Sequence, residues 1–352
     1  MGVLSYAGGL GLISLTVYIM VIGRDLLVPF MISIAIWYLI NILSDYYHKF
    51  TLGKWQLPRW ASYTASLLTI ILVLNFLIGM ISSNINEVKD VAPLYQENFT
   101  KLTAKIFNIF GIDKEPNLAQ VINQINLGPF ITNLAGTLAS LAGSASLIMI
   151  YVLFLMLEQK YFDVKLARLL EGSEHRETVF TILDHISRNI KTYIGVKTFV
   201  SALTGGACYI VLVTVGVNNA SFWAFFIFLL NFIPTVGSML AVLFPSLLSL
   251  VQFDTFTPFF IVIASLVVIQ MTIGNILEPK LMGNSLNLSP LVVMLSLALW
   301  GSIWGIAGMF LSVPFTVILM IIFSQFPKTK PIAIMLSQDG NIRPRDSIMV
   351  ED

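Results

Sequence analysis

Residues 222–251 read FWAFFIFLLNFIPTVGSMLAVLFPSLLSLV and contain no charged side chain. A transmembrane helix needs about 20 apolar residues, because each residue adds about 1.5 Å across a hydrocarbon core of about 30 Å. The segment is therefore too long for one straight span, and Asn231, Pro234 and Gly237 interrupt it. It predicts either a kinked membrane helix or a re-entrant hairpin that enters the membrane and returns.

The composition of the whole chain indicates a membrane protein. Of the 352 residues, 57% are hydrophobic and 11% are charged, against roughly a quarter charged in soluble domains. The net charge of +1 excludes nucleic acid as a partner, because binding a phosphate backbone requires many basic residues. The single cysteine, Cys208, excludes a disulfide framework and a Cys-based zinc site. We expect no metal and no cofactor.

Other hydrophobic segments along the chain are also long enough to cross a membrane. They lie at 3–22, 26–43, 60–81, 138–157, 193–217, 258–277 and 290–323. Together with 222–251 they predict an all-α, polytopic helical membrane protein with about eight hydrophobic segments, two of them broken or re-entrant. The predicted division is N-terminal transmembrane helices at 1–81, an external amphipathic helical segment at 82–137, a transmembrane helix at 138–157, a cytoplasmic amphipathic segment at 158–192, a C-terminal core with broken helices at 193–325 and a cytoplasmic tail at 326–352.

The segment 290–323 repeats the pattern of breaks seen in 222–251. It contains three glycines and then Pro314, which echoes Gly237 followed by Pro245. Corresponding breaks in two segments predict internal repeats that meet at a binding site. The GxxxG spacing of two of these glycines also fits close helix packing, and that alternative stays open. The glycines are Gly301, Gly305 and Gly308.

Basic residues predict the orientation, because Lys and Arg are enriched in cytoplasmic loops. They cluster at 44–59, at 158–191 and in the tail, so we expect the N- and C-termini in the cytoplasm and 82–137 outside. Lys197, near the start of its span, is expected to reach the interface with its long side chain. Helical spacing of apolar residues predicts amphipathic helices in both polar segments. These residues are Leu102, Ile106, Ile109 and Phe110 outside, and Val179, Leu183, Ile186 and Ile190 inside.

Several short motifs follow one another in an order typical of one protein family. They are RDLLVPF at 24–30, NFIPTVG at 231–237, GNILEPKLMG at 274–283, LSP at 288–290, WG at 300–301 and 304–305, GM at 308–309 and VP at 313–314. With these motifs the chain resembles the AI-2E family of bacterial membrane transporters. The resemblance implies a secondary transporter in the bacterial cytoplasmic (inner) membrane, with 193–325 as the transport core. One branch of that family exports autoinducer-2, a small furanone-derived quorum-sensing signal, and others exchange sodium or lithium for protons.

The interruption at 231–237 is the first candidate for a binding site. Pro234 lacks a backbone donor and Gly237 permits unusual backbone geometry. Non-helical backbone in a bilayer must be buried in protein or line a hydrated cavity. A solute site at Asn231 is therefore one interpretation, and a simple proline kink is the other.

Glu278 and Lys280 are the second candidate, because they are among the few charged residues between 193 and 327. We expect them in a loop directly after the span that ends at residue 277. Their charges are either solvated at the interface or functional, with Glu278 binding a cation or proton. The expected substrate- or ion-binding residues are Asn231, Pro234, Gly237, Asn275, Glu278, Lys280 and Ser289. The expected hinge or break residues are Pro279, Gly283, Pro290, Gly301, Gly305, Gly308 and Pro314.

Three functional classes are considered, which are a transporter, an enzyme and a non-transporting scaffold. The first is transport by alternating access, with export of a small polar solute coupled to H⁺ or Na⁺. Na⁺(Li⁺)/H⁺ antiport is the alternative within this class. ATP is not expected as the energy source, because the chain has no Walker A sequence. An enzyme is not expected, because HExxH and GxSxG are both absent. A non-transporting membrane scaffold is the third class. The expected partners are the solute, the coupling ion, the lipid bilayer and further copies in a homo-oligomer.

Overall fold

The computed structural model describes residues 3–49, 51–52, 55–76, 79, 136, 143–253, 255–283 and 286–341. Helices dominate this part of the chain. In order they are α1 (Val3–Ile22), α2 (Arg24–Lys49), α3 (Arg59–Phe76), α4 (Ala145–Leu169), α5 (Arg176–Val215), α6 (Ala220–Leu230), α7 (Val236–Gln252), α8 (Thr257–Gln270), a π-helical segment (Met271–Leu277), α9 (Glu278–Met282), α10 (Pro290–Gln325) and α11 (Lys330–Leu336). Two short strands, β1 (Thr51–Leu52) and β2 (Trp55–Gln56), pair antiparallel between α2 and α3.

Among the residues that the structure describes, six helices are long and apolar enough to cross a membrane. They are α2, α3, α4, α5, the continuous helix Thr257–Met282 and α10. The predicted all-α, polytopic membrane architecture is therefore confirmed. The predicted span at 3–22 is the helix α1. The predicted external helix with Leu102, Ile106, Ile109 and Phe110 lies outside the described residues.

The predicted cytoplasmic helix and the span that follows it form one helix, α5, of 40 residues. Such a helix is about 60 Å long, which exceeds the thickness of a bilayer. No proline interrupts it, so nothing in the backbone chemistry ends the helix where the polarity of the sequence changes. Its N-terminal half carries an exposed ion pair between Arg188 and Asp184 at 2.6 Å.

The segment 222–251 folds as a helical hairpin, which we call hairpin A (α6 and α7). Trp223 on α6 stacks against Phe244 on α7, with ring centroids 6.3 Å apart. At the end of α7, the Gln252 Nε2 donates to the carbonyl oxygen of Gly216 at 2.8 Å. Because Gly216 precedes α6, the hairpin starts and finishes at the same end, as expected of a re-entrant segment.

The helix α10 also doubles back, and we call it hairpin B (residues 290–325). Its direction changes at Gly305, whose φ of 61° and ψ of −137° are not helical. The Trp300 ring on the first arm lies 4.7 Å from that of Phe315 on the second arm. The Trp300 Nε1 also donates to Thr316 Oγ1 at 3.3 Å. Both long segments are therefore hairpins and neither is a single kinked span.

Each hairpin contains a glycine on its second arm that lies very close to the backbone of its own first arm. A Cβ on Gly237 would lie 1.8 Å from the Leu230 carbonyl oxygen, and one on Gly308 would lie 1.9 Å from the Trp300 carbonyl oxygen. No side chain fits at such distances. In each hairpin the phenylalanine seven positions later, at 244 or 315, packs on a tryptophan of the first arm. The two hairpins thus share one construction, and the predicted internal repeat stays a prediction.

The chain divides into two compact units, and each hairpin belongs to a different one. Hairpin B lies in the unit formed by Met1–Ser66, Ser146–Lys197 and Lys280–Asp352, and hairpin A in the unit formed by Leu67–Ala145 and Thr198–Pro279. The six-segment division of the sequence stays a prediction. The core of the first unit is a cluster of Tyr38, Ile190, Tyr193, Ile194, Met282, Leu288, Val313, Val317, Met320 and Ala333.

Hydrogen bonds also hold the first unit together. The Trp304 Nε1, at the tip of hairpin B, donates to the Met20 carbonyl oxygen of α1 at 2.9 Å. The Gln159 side chain of α4 accepts from Trp37 Nε1 at 2.9 Å and donates to Asn41 Oδ1 at 3.3 Å, both on α2. These bonds position α1, α2 and α4 against one another and against the hairpin.

We expect Gly237→Ala and Gly308→Ala each to lower the free energy of unfolding by about 3 kcal/mol or more, because the new methyl group would collide with backbone. Gly206→Ala is the matched control. A Cβ there meets nothing within 4 Å, and removing a glycine from a helix interior stabilises by about 0.5–1 kcal/mol. Thermal unfolding of the purified variants in detergent tests this, and equal midpoints for all three would contradict the hairpin geometry.

Candidate functional site

Asn231 begins the tip of hairpin A, and its side chain is only 3% exposed. Its Nδ2 donates to Ser201 Oγ at 3.2 Å. Its Oδ1 accepts from Gln270 Nε2 at 3.0 Å. These three residues, which we call the polar triad, bring together α5, hairpin A and the end of α8.

A glycine on α5 brings its helix close to hairpin A. A Cβ on Gly205 would lie 2.9 Å from the Ala224 carbonyl oxygen and 3.2 Å from Phe228 Cβ. Ser201 precedes Gly205 by one helical turn, so it faces the same neighbour. The close helix packing therefore places the serine hydroxyl within reach of the Asn231 amide.

The tip of hairpin A contains a strained turn. Thr235 has φ 58° and ψ −59°, which is the rare, positive-φ form of the γ-turn. The Val236 N–H closes the turn onto the Pro234 carbonyl oxygen at 2.5 Å. A β-branched residue with positive φ is a genuine outlier, and such strain is concentrated at binding and switch regions.

The helix that supplies Gln270 changes its hydrogen-bond pattern directly after that residue. Met271–Leu277 is π-helical, and the Glu278 N–H bonds to the Ile273 carbonyl oxygen, five residues earlier. Pro279 follows and cannot donate the usual bond four residues back. Single π-helical turns in α-helices occur frequently at functional sites.

The buried face of α5 carries further polar groups next to the triad. Lys197, one turn before Ser201, is 5% exposed, so the prediction that its amine reaches the interface is wrong. It lies on the helix face that also buries Ser201 and Thr204. The Thr198 hydroxyl is buried and has no hydrogen-bond partner in the described part of the chain. A buried hydroxyl of this kind is available to a bound solute.

Residues 10–328 match the sequence model of a protein family, the AI-2E family transporters. The chain belongs to the AI-2E transporter family. It is 31% identical over 323 residues to the AI-2 transport protein TqsA of Escherichia coli K12, which covers 90% of each chain. It is 30% identical over 327 residues to a Haemophilus influenzae Rd chain classed among transport proteins, covering 90% of this chain and 91% of the relative. A Borreliella burgdorferi B31 transport protein is 33% identical over 252 residues, which cover 69% of this chain and 67% of the relative.

Membership of the AI-2E family confirms the predicted resemblance and makes the chain a multi-pass membrane transporter of a bacterial family. The named relatives are transport proteins and not enzymes. Quorum sensing is the context that the name of the TqsA relative supplies.

The prediction that Glu278 and Lys280 lie in a loop after residue 277 is wrong. Glu278, Pro279 and Lys280 belong to α9, which continues the π-helical segment to Met282. The helix ends at Gly283, whose φ of 54° is typical of a glycine that terminates a helix. Asn275, within the π-helical segment, is exposed.

The structure brings Asn231, Pro234 and Gly237 together at the tip of hairpin A. Asn275 and Glu278 lie on the helix that continues from Gln270 in the same unit. Pro279 lies in this unit too, whereas Lys280, Gly283 and the predicted positions that follow them in the sequence belong to the other unit. Gly301, Gly305, Gly308 and Pro314 lie in hairpin B, and Ser289 and Pro290 begin it.

Sequence reasoning missed Ser201, Gln270 and Thr198. A signal was present, because Ser201 and Thr204 recur at helical spacing in one apolar span, and Gln270 is one of two amides, with Asn275, in another. What the sequence could not supply is the pairing of these helices. The polar triad itself is uncharged, and the described residues contain no group of three or more His, Cys, Asp and Glu that could hold a metal ion.

We expect Asn231→Ala and Gln270→Ala each to lower the free energy of unfolding by about 1–3 kcal/mol, because each leaves a buried polar partner unsatisfied. The double variant should lose less than the sum, since both changes remove the same bond. Denaturant unfolding of the four proteins measures this coupling.

Asn75→Ala is the control for these variants. The Asn75 Nδ2 bonds to the Ile71 carbonyl oxygen on its own helix at 2.9 Å and is exposed. Its loss should change stability by no more than about 0.5 kcal/mol. Strictly additive losses at 231 and 270 would contradict the bond between them.

Proposed function

We propose that this chain exports a small, neutral, polar solute across the bacterial inner membrane by alternating access, and that the solute resembles AI-2. The observation that carries the proposal is the buried, uncharged polar triad at the tip of hairpin A. AI-2 enters from the name of the TqsA relative, which matches this chain over 90% of its length.

The chemistry of the triad favours a hydroxylated solute over an ion. Asn231 uses one N–H and its carbonyl oxygen within the triad, and a primary amide offers a second N–H and a second oxygen lone pair. The Thr198 hydroxyl adds another donor nearby on α5. Neutral donors and acceptors in an apolar setting bind polar groups specifically, because an unmatched solute leaves them unpaired.

The two hairpins supply the moving parts in this proposal. The helical structure is interrupted at Pro234, in the turn before α7, and at Gly305, within α10. Gly237, Gly301, Gly308 and Pro314 lie in the helical arms beside these two breaks. Gly283, Ser289 and Pro290 mark the ends of the helices between them, and Pro279 follows the π-helical segment within the continuous helix Thr257–Met282. We infer that changes at these breaks open the solute site to one side at a time, with H⁺ or Na⁺ as the coupling ion.

The proposal also includes the orientation of the chain in the membrane and its assembly into a homo-oligomer. The N- and C-termini lie in the cytoplasm, according to the distribution of Lys and Arg. Many exposed apolar side chains on α1, α3 and α4 leave surface for lipid and for further copies in a homo-oligomer.

The test is AI-2 flux in proteoliposomes. Ser201→Ala and Asn231→Ala should each reduce kcat/KM about two- to tenfold for every solute hydrogen bond lost. Asn75→Ala should keep the wild-type flux, because its amide bonds within its own helix.

A deoxy analogue of the solute separates binding from folding. If the triad contacts a solute hydroxyl, the preference for the solute over its deoxy analogue should fall in the Ser201 and Asn231 variants. An unchanged preference, with all fluxes reduced equally, would show that the triad is structural only.

Na⁺(Li⁺)/H⁺ antiport is a second candidate, because Glu278 is the sole carboxylate between residues 255 and 338 and is half-buried. If Glu278 carries the coupling ion of an exporter, Glu278→Gln should abolish stimulation of AI-2 flux by an ion gradient while solute counterflow continues. Proton movement driven by Na⁺ or Li⁺ in the absence of any solute, and lost in Glu278→Gln, would favour the antiporter.

A further inference from the structure

The helix α11 lies beside the open end of hairpin B. A short turn connects them, in which the Thr329 Oγ1 donates to the Phe323 carbonyl oxygen at 2.9 Å. On its inner face, Ala333 is fully buried in the core cluster of its unit. Because α11 follows the last apolar arm so closely, we expect it where that arm leaves the hydrocarbon layer.

The outer face of α11 is apolar and uncovered. Met335 is 80% exposed, and Ile332 and Ile334 are also exposed. Phe326, in the preceding turn, is 57% exposed. A surface helix facing water carries polar residues on its outer face, so this face requires an apolar environment.

Two lysines adjoin this apolar face. Lys328 and Lys330 are exposed, and neither forms an ion pair with any residue that the structure describes. The sequence has no Asp or Glu from residue 279 to residue 338. Apolar side chains beside unneutralised cations are typical of segments that lie in the interface of a bilayer containing anionic lipid.

We propose that Phe326, Lys328, Lys330, Ile332, Ile334 and Met335, which we call the C-terminal surface, dock on anionic phospholipids. The apolar side chains enter the acyl boundary and the two ammonium groups contact phosphate groups. A lipid surface is favoured over a protein partner because the adjoining arm is itself a membrane segment, which already places the surface at the headgroups.

Docking of this surface on lipid would also affect the position of hairpin B, because α11 is hydrogen-bonded to the start of that hairpin. The Ser289 N–H bonds to the Leu336 carbonyl oxygen at 3.0 Å, and the Gln338 N–H bonds to the Asn287 carbonyl oxygen at 3.1 Å. The end of α11 is thus tied to the residues that begin hairpin B. Anionic lipid therefore fixes the base of this hairpin at the membrane surface.

The experiment places a fluorescent label on the C-terminal surface of the full chain through Met335→Cys. The native Cys208 is 2% exposed and does not compete for the label. The protein is reconstituted in liposomes of phosphatidylcholine alone or of phosphatidylcholine with phosphatidylglycerol, each containing a lipid with a quencher in its acyl chain. We expect stronger quenching with phosphatidylglycerol.

The lysines are tested by the double variant Lys328→Gln/Lys330→Gln. Each lysine near an anionic surface raises docking about fivefold, so the ratio of docked to undocked label should fall about 30-fold. Added salt at about 1 M should reduce docking of the unaltered surface, because it screens charges beyond about 3 Å. Lys160→Gln/Lys165→Gln removes the same charge from exposed positions on α4 and should leave quenching unchanged.

Three results would overturn the proposal. They are equal quenching in the two lipid mixtures, no response to Lys328→Gln/Lys330→Gln, and quenching that depends on the protein-to-lipid ratio, which would mean that a second copy covers the surface. The measurement needs no solute flux, so its result is independent of the transport proposal.

Discussion

Backbone polar groups in an apolar stretch must find partners inside the protein, since lipid offers none. Hairpin A meets this demand within its own tip. The Ile233 N–H bonds to the Leu230 carbonyl oxygen at 2.8 Å, and the Gly237 N–H bonds to the Ile233 carbonyl oxygen at 3.2 Å. Turning back so tightly is sterically allowed because Gly237 has no side chain. The remaining features of the site follow from this reversal, which buries Asn231 within reach of Ser201 and Gln270.

Much of the fold can be predicted from the sequence, because the bilayer imposes simple length and polarity rules. Those rules identify the apolar helices and both interrupted segments. They do not choose between a kink and a hairpin, since Pro234 and Gly237 are compatible with either. That choice depends on contacts between distant residues, such as Trp223 with Phe244 and Trp300 with Phe315, and composition does not encode these contacts.

The candidate site was only half predictable for a similar reason. Asn231 stands out in the sequence because it is a polar residue that interrupts an apolar run. Its partners Ser201 and Gln270 are ordinary polar residues of neighbouring helices, and only helix pairing shows that they meet. The misplacement of Glu278 has a local cause, because a proline after an apolar run normally indicates a helix end. Here the π-helical segment before Pro279 allows the helix to continue.

The hydrogen bond from Gln252 to Gly216 has an evolutionary consequence. Because the chain enters and leaves hairpin A at almost one point, the whole element is a cassette whose removal or insertion would hardly displace the flanking helices. Duplication of such a cassette needs no redesign of its surroundings.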